Sequence, residues 1–529
     1  MKFQWLLSSL FTGVILCHVQ DEFYSSIDQV AELISMERDF IQSLKEYIKE
    51  EETHLEQLKR TVDVMDEISG TFSEMPETRV SNPLNAYKLM KRMYTDWRAV
   101  EKLIKMDPSH DFLASLSLKC QHFPSKDDVD GAALGLVRLQ ETYRLDPQSI
   151  MDGKISGMGH TELLTPDESY YLATIAHEKQ KYLYSFLWMQ HALKELDEGK
   201  PAVITKKEIL YFLIPFVFQV GDLPLAVEMT RQLIALDPSD QNALNYFKYY
   251  ETVKESLRRW NETQSATANL DFFEGPNFLQ GKEYYEALCR GEGIKMTPRR
   301  QSTLFCRYNN GKRNPRLIYA PIKEEDEWDH PPIVRYHNFL SEKEMETIKR
   351  LSRPKLKRAG VADRKTGGWF IAEYRVSKSA WLMEEDDPVV SRVNQRIADI
   401  TGLDMQTAEH LQVANYGIGG HYEPHYDFPR MHVNDSNYKT NGNRIATFLN
   451  YMSDVEFGGA TVFPDVGAAV QPIKGSAVFW YNLLQNGEDD YRTLHAACPV
   501  LTGNKWVSNK WIRERGQEFR RRCGLSEVD

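Results

Sequence analysis

The segment 415–429 reads NYGIGGHYEPHYDFP and carries four side chains able to bind a metal: His421, Glu423, His425 and Asp427. His425 and Asp427 are two residues apart. On a strand, where side chains alternate, both would point to one face. A third ligand can then come from a neighbouring strand. Two imidazoles and one carboxylate on one face of an octahedron leave three positions open, the arrangement used by non-heme Fe(II) oxygenases. Those positions let a metal take a chelating co-substrate and dioxygen together. His421 and Glu423 share the same face of a regular strand, so they form a rival pair that spacing alone does not separate. Pro424 also interrupts a regular ladder. Downstream, His495 opens the run HAACPVLTGNKWVSNKW, and Lys505 follows ten residues later. A strand from His495 turning at Thr502-Gly503-Asn504 would return Lys505 to the same pocket. A single ammonium on a flexible stem suits the distal carboxylate of a dicarboxylate co-substrate.

These residues need a scaffold of short strands, and the sequence supplies one. From about residue 332 to the end, runs such as HLQVANYGI, RIATFLNYM, ATVFP and SAVFWYN are bounded by Gly and Asn. They predict a β-sandwich or jelly roll, with helices around 341–352 and 387–400 packed outside. Upstream, residues 140–255 read as paired helices punctuated by Leu145-Asp146-Pro147 and Leu236-Asp237-Pro238. Helical stretches lie around Glu168–Leu196 and Lys206–Leu236, with a possible turn at Gly221-Asp222. They resemble tetratricopeptide helix pairs, without a clean repeat of about 34 residues. Tyr170, Tyr171, Tyr182, Tyr184, Trp188, Tyr211 and Phe212 are dense here. They can fill helix interfaces, or line a groove for a proline-rich peptide, whose extended form offers flat ring faces to aromatics. Residues 256–331 read as a linker.

Residues 21–139 are predicted helical. Ile27, Ile34, Ile41, Ile48, Leu55 and Val62 recur every seven residues, and Val30, Leu44, Leu58 and Met65 supply most of the alternate seam. Glu37 and Glu51 interrupt it. The pattern predicts one long helix with a coiled-coil seam, and so self-association. The first 20 residues place an apolar run, Trp5 to Cys17, behind Lys2 and read as a cleaved secretory signal. No later apolar run is long enough to span a bilayer.

Removal of Cys17 leaves Cys120, Cys289, Cys306, Cys498 and Cys523. Two local pairs are expected, Cys289–Cys306 and Cys498–Cys523, leaving Cys120 over. Sequons stand at Asn261 and Asn434. The chain of 529 residues carries a net charge of −11, which argues against a partner held by phosphate contacts such as a nucleic acid. The C-terminus, LSEVD, is not a retrieval tetrapeptide of the endoplasmic reticulum.

The C-terminal 200 or so residues resemble the catalytic domain of 2-oxoglutarate-dependent prolyl 4-hydroxylases, and the layout of the whole chain resembles a collagen prolyl 4-hydroxylase α subunit. The resemblance is carried by YYEALCRGE (284–292), RLIYAPIKEE (316–325), NYGIGGHYEPHYDFP, GNRIATFLNYM (442–452), GGATVFP (458–464), KGSAVFWYN (474–482) and HAACPVLTGNKWVSNKWIRERGQEF (495–519). It implies an α+β multidomain chain: signal peptide 1–20, helical dimerisation segment 21–139, peptide-binding domain 140–255, linker 256–331 and jelly-roll oxygenase 332–529. It also implies that His425, Asp427 and His495 hold iron, and that Lys505 grips 2-oxoglutarate with help from Tyr416 and Thr447. Tyr422 and Trp511 match positions near the peptidyl proline, and Tyr182 and Tyr211 are candidates for the peptide groove. The two cysteine pairs coincide with the family's intrachain bonds. The implied cofactors are Fe(II), 2-oxoglutarate, dioxygen and ascorbate. The implied partners are protein disulfide isomerase in an α2β2 tetramer, which supplies the retrieval signal, and procollagen-like chains in the lumen of the endoplasmic reticulum. Rival readings are a non-catalytic peptide-binding scaffold, an oxygenase for another substrate, and a zinc hydrolase on a jelly roll; the intact His425, Asp427, His495 and Lys505 disfavour the first.

Overall fold

The computed structural model describes residues 22–73, 93, 96–97, 99–104, 124–151, 164–219, 221–261, 279–311, 314–362, 369–428 and 440–526. The signal segment, Cys120, Asn434 and the side chain of Asn261 lie outside the described residues. The chain divides into two units, residues 1–22 with 29–125, and residues 23–28 with 126–529.

The heptad segment forms one helix, α1 (Ile27–Ser73), of 47 residues. Ile34, Ile41, Ile48, Leu55 and Val62 are 46 to 60 % exposed along it. One side of a seam spaced for a partner helix is therefore exposed, while Val30, Leu58 and Met65 of the alternate side are half-buried.

In the second unit the helices are α2 (Lys126–Tyr143), α3 (Pro166–Glu178), α4 (Tyr182–Asp197), α5 (Lys206–Gln219), α6 (Leu223–Leu236) and α7 (Gln241–Asn261). Their starts are chemically set. Thr165 and Glu168 form a capping box on α3, and Asp222 accepts from Leu225 N at the start of α6. Gly221, at φ 92°, makes the turn expected between α5 and α6. The stretch 168–196 is two helices, because α3 stops at Lys179 and Gln180 takes a left-handed φ of 60°. Trp188, Met189, Ile209, Leu213, Ile214 and Leu233 build their shared core. Helix α2 belongs to it as well: Ala133 lies in that core, and Trp188 Nε1 donates to Gln140 Oε1 at 2.9 Å. The boundary expected at 139/140 thus falls inside a helix, and the chain instead turns at Arg144, where φ is 50°.

The expected linker is also partly structured. It holds helix α8 (Leu279–Cys289) and the first two strands of the main sheet, β1 (Cys306–Asn309) and β2 (Ile322–Trp328). There follow β3 (Ile333–His337), helix α9 (Glu342–Ser352), β4 (Lys357–Arg358), β5 (Gly360–Ala362), β6 (Trp369–Ile371), β7 (Ser377–Leu382) and helix α10 (Pro388–Thr401). Next come β8 (Leu411–Tyr416), β9 (Tyr422–His425), β10 (Arg444–Tyr451), β11 (Phe457–Gly458), β12 (Thr461–Phe463) and β13 (Ala468–Val470). The last strands are β14 (Ala477–Tyr481), β15 (His495–Ala497), β16 (Val500–Thr502) and β17 (Trp506–Arg513).

The main sheet runs β1-β2-β3-β14-β10-β17-β8-β7-β4, and a smaller one runs β13-β12-β15-β9. Tyr416, Leu449, Tyr451, Phe463, Trp480 and Val507 pack between them. On the other face of the main sheet, alternate residues such as Phe448, Phe479 and Val413 meet Ile348 of α9 and Val393 and Ile397 of α10. Burying each such aliphatic side chain is worth about 1.5–3 kcal/mol, which holds the helices outside the sheet. This is the predicted jelly roll, the double-stranded β-helix, with its helices placed as expected.

The cysteine pairing differs from expectation. Cys289 is bonded to Cys498, with Cα atoms 5.5 Å apart, while Cys306 and Cys523 are exposed and free. The reason is packing. The buried face of α8, Tyr285, Leu288 and Cys289, sits on Ala460, Val462, Ala496 and Cys498 of the smaller sheet and its flank. Cys306 instead opens the edge strand β1, and Cys523 lies in the tail beyond β17.

Candidate active site

Strands β9 and β15 pair so that His425 stands opposite His495. Asp427 lies in the bend after β9 and completes the group. Its Oδ1 is 3.8 Å from His425 Nε2, and its Oδ2 is 3.6 Å from His495 Nε2. One ligand atom from each of the three residues lies within 4.8 Å of the others. Each ring is oriented from behind: Nδ1 of His425 donates to Glu423 O at 2.8 Å, and Nδ1 of His495 donates to Thr493 O at 2.9 Å. Carbonyls only accept, so both Nε2 atoms keep a lone pair for a metal. Burial and the neighbouring His495 push the His425 imidazole down to about 3, so it is neutral. Burial alone would raise Asp427, but His495, His425, Arg444 and the Thr447 hydroxyl bring it down to about 2, so it is a carboxylate. Two imidazole nitrogens and one carboxylate oxygen suit a divalent iron.

The rival pair does not join them. His421 precedes the four-residue strand β9 and is buried, with its Nε2 3.8 Å from Glu423 Oε1. Burial and the nearby Arg138 push its imidazole down to about 4.

An open cleft is lined by His425, Asp427 and His495 together with Lys505, Tyr416 and Thr461. Lys505 is only 2 % exposed. Its Nζ donates to Gly459 O at 2.5 Å and lies 4.9 Å from the centre of the Tyr416 ring. Among the described residues no carboxylate pairs with it. Burial lowers its ammonium from 10.5 to about 7. A buried cation without an anion is a site built for an acidic ligand. Gly459 leaves room for it: its φ is positive, and a Cβ there would stand 3.3 Å from Lys505 Cδ.

Tyr422 and Trp511 line the same cleft. Tyr422 stacks on His425 with ring centres 3.6 Å apart, and the Arg375 guanidinium covers it at 4.7 Å. The Arg444 guanidinium lies 3.9 Å from the Trp511 ring centre, and the Trp511 indole N–H has no partner among the described residues. Thr447 stands beside Asp427. Its hydroxyl donates to Asp427 Oδ2 at 2.6 Å and accepts from Asn482 Nδ2 at 2.9 Å, so it orients the candidate metal ligand. In the helical domain Tyr182 is 46 % exposed and packs edge-on against His177. Tyr211 is half-buried, and its hydroxyl donates to Asp240.

Sequence reasoning does not single out Arg375, Arg444, Thr461, Trp480 or Asn482. Arg444, Thr461 and Trp480 come into play through strand pairing, and Arg375 through a bridge to Tyr422. Register places Trp480 and Trp511 on either side of Thr447, for example. Arg375 stands in no motif.

Three family models match: the N-terminal region of the prolyl 4-hydroxylase alpha subunit over residues 26–157, the prolyl 4-hydroxylase peptide-substrate-binding domain over 166–256, and the 2OG-Fe(II) oxygenase superfamily over 411–513. Prolyl 4-hydroxylase subunit alpha-2 of Gallus gallus is 52 % identical over 99 % of this chain and 99 % of its own. The chain belongs to the prolyl 4-hydroxylase alpha-subunit family. Subunit alpha-1 of Homo sapiens is 50 % identical over 96 % of each chain. Among solved structures, a viral collagen prolyl hydroxylase from Paramecium bursaria Chlorella virus-1 aligns with 34 % of this chain and 95 % of its own, at 25 % identity and a TM-score of 0.28. As a member of this family the chain is a 2-oxoglutarate- and iron-dependent oxygenase subunit with a helical peptide-binding domain.

Proposed function

We propose that the chain hydroxylates peptidyl proline at C4 in collagen-like X-Pro-Gly sequences. The carrying observation is that one cleft holds both the His425–Asp427–His495 cluster and the carboxylate-free ammonium of Lys505. His425, Asp427 and His495 hold Fe(II). When bound, iron with 2-oxoglutarate supplies the oxidising chemistry: dioxygen gives one oxygen atom to the proline and one to succinate, with release of CO₂. Ascorbate serves as reductant for iron oxidised in uncoupled turnovers.

The chain's own residues bind, orient and shield. Lys505 takes the distal carboxylate of 2-oxoglutarate over the Tyr416 ring. Thr447 and Asn482 hold Asp427 in position. Tyr422 and Trp511 pack the target pyrrolidine, and the aromatic walls exclude water. Tyr182 and Tyr211 contribute to the groove that takes neighbouring prolines. The exposed side of the α1 seam pairs two copies of the chain. Protein disulfide isomerase completes an α2β2 tetramer and retains it in the lumen of the endoplasmic reticulum; among the described residues no helix is long and apolar enough to cross a membrane. The reading is tested by giving the assembled enzyme Fe(II), 2-oxoglutarate and a (Pro-Pro-Gly)-type peptide. Peptide-dependent succinate release supports it, and its absence from an iron-loaded tetramer overturns it. His425→Ala should abolish turnover.

A further inference from the structure

Residues 23–28 lead into the long helix α1, yet they belong to the unit that holds the oxygenase fold. Phe23, Ser25 and Ser26 are buried there. Asp128, in the first turn of α2, accepts from Phe23 N and, at 3.1 Å, from Tyr24 N. Tyr24 O in turn accepts from Ile418 N, just beyond β8, at 3.0 Å. The approach is so close that a Cβ on Gly417 would stand 2.0 Å from Tyr24 O, so only glycine fits. At the other end Asp28 pairs with Arg353 at 2.8 Å. The segment is held at both ends.

Between these anchors it meets Asn415 of β8. Side chains alternate along a strand. Ala414 and Tyr416 line the cleft, so Asn415 points to the opposite face, where it is fully buried. Its Oδ1 accepts from Ser26 Oγ at 2.7 Å and from Asp28 N at 3.2 Å. The second donor is an N–H of the first turn of α1, which has no partner inside the helix. The Nδ2 of Asn415 donates to Asn504 Oδ1 at 2.6 Å and to Lys505 O at 3.2 Å. All four hydrogen-bonding positions of the amide are thus filled. Lys505 O also accepts from Tyr416 N at 3.1 Å. One buried amide therefore ties the segment to the main chain of Lys505 and Tyr416, whose side chains meet in the cleft.

We propose that Phe23–Asp28 is a strap behind the co-substrate pocket, with Ser26 a positioning residue that acts through Asn415 on Lys505 and Tyr416. The proposal rests on the reading that Lys505 takes 2-oxoglutarate and deepens it. Without the Ser26 hydroxyl, Asn415 Oδ1 keeps one donor in a buried place. An amide left short of a partner turns or draws in water, and the Asn504–Lys505 turn shifts with it. Metal and peptide are held by other residues, so the loss falls on the co-substrate.

The test uses the full-length assembled enzyme with Mn(II) in place of Fe(II), so that calorimetry reads 2-oxoglutarate binding without turnover. Ser26→Ala should weaken that binding about three- to tenfold, the effect of one buried neutral hydrogen bond. Affinity for Mn(II) and for a (Pro-Pro-Gly) repeat should stay within about twofold. In an Asn415→Ala background the same substitution should add less than about 1.5-fold, because the two residues act in series. Hydrogen exchange of the ligand-free protein gives an arm that does not depend on what the cleft binds. Amides of residues 415–418 should exchange about three- to tenfold faster in Ser26→Ala. Unchanged affinity in a variant whose parent binds 2-oxoglutarate, equal losses for metal and peptide, or additive effects of the two substitutions would overturn the strap. Unchanged exchange would overturn it whatever the cleft takes. A parent that binds no 2-oxoglutarate, with exchange quickened in the variant, would refute the pocket reading and support the strap.

Discussion

Lys505→Met keeps the stem of the side chain and removes its charge. In the free protein, burial lowers the ammonium from 10.5 to about 7. That difference amounts to roughly 5 kcal/mol against the charged form. The unfolded chain holds more protons than the folded one between pH 7 and 10.5, so this penalty is complete below pH 7 and fades as pH rises through that window. At about pH 7.5 the methionine variant without co-substrate should therefore be more stable than the parent, by up to about 4 kcal/mol, less whatever imperfect packing costs. Binding should move the other way. A dicarboxylate needs the ammonium charged, and at about pH 7.5 only about a quarter of the free protein carries it. Removing one partner of a buried charge pair costs about 2–5 kcal/mol, so 2-oxoglutarate affinity should fall by roughly 30- to 4,000-fold. Calorimetry in two buffers of different ionisation enthalpy should show proton uptake on 2-oxoglutarate binding to the parent and none to the variant. Denaturant unfolding of the free proteins across roughly pH 7–10 gives the stability difference. An unchanged co-substrate affinity, or a variant that is less stable and whose parent takes up no proton, would refute the reasoning.

Thr447→Val removes the hydroxyl that donates to Asp427 while keeping the shape of the side chain. Iron affinity should fall about 10- to 100-fold by metal titration, with the fold unchanged by circular dichroism. Trp511→Ala deletes a cleft wall and the surface beneath Arg444; peptide KM should rise about tenfold or more in steady-state assays, while 2-oxoglutarate binding changes by less than about threefold. Ile41→Asp with Leu55→Asp places charge on the exposed side of the α1 seam. Sedimentation should then show half-size assemblies, with turnover per chain on short peptides preserved.

The metal cluster is legible in the sequence only in part. Two-residue alternation puts His425 and Asp427 together, but the same rule also offers His421 and Glu423. What separates them is that β9 is only four residues long and pairs His425 with His495. Lys505 is legible because a loop of Thr502-Gly503-Asn504 returns the chain to the pocket. The role of Thr447 is not, because its orientation toward Asp427 depends on a bond across 20 residues. The helical layers follow from periodicity, and the break at Gln180 does not, because no Gly or Pro marks it. Cysteine pairing is hidden for a related reason. Proximity along the chain favours Cys289–Cys306, whereas the packing of α8 brings Cys289 to a residue 209 positions away.

The most direct test of the central claim is mass spectrometry of a (Pro-Pro-Gly)-type peptide after incubation with the assembled enzyme, Fe(II), 2-oxoglutarate and ascorbate. The expected result is a gain of one oxygen atom on proline residues preceding glycine, located at C4, and no gain with His425→Ala. Oxygen found on another residue or ring position, or an unmodified peptide with the iron-loaded parent enzyme, would contradict it.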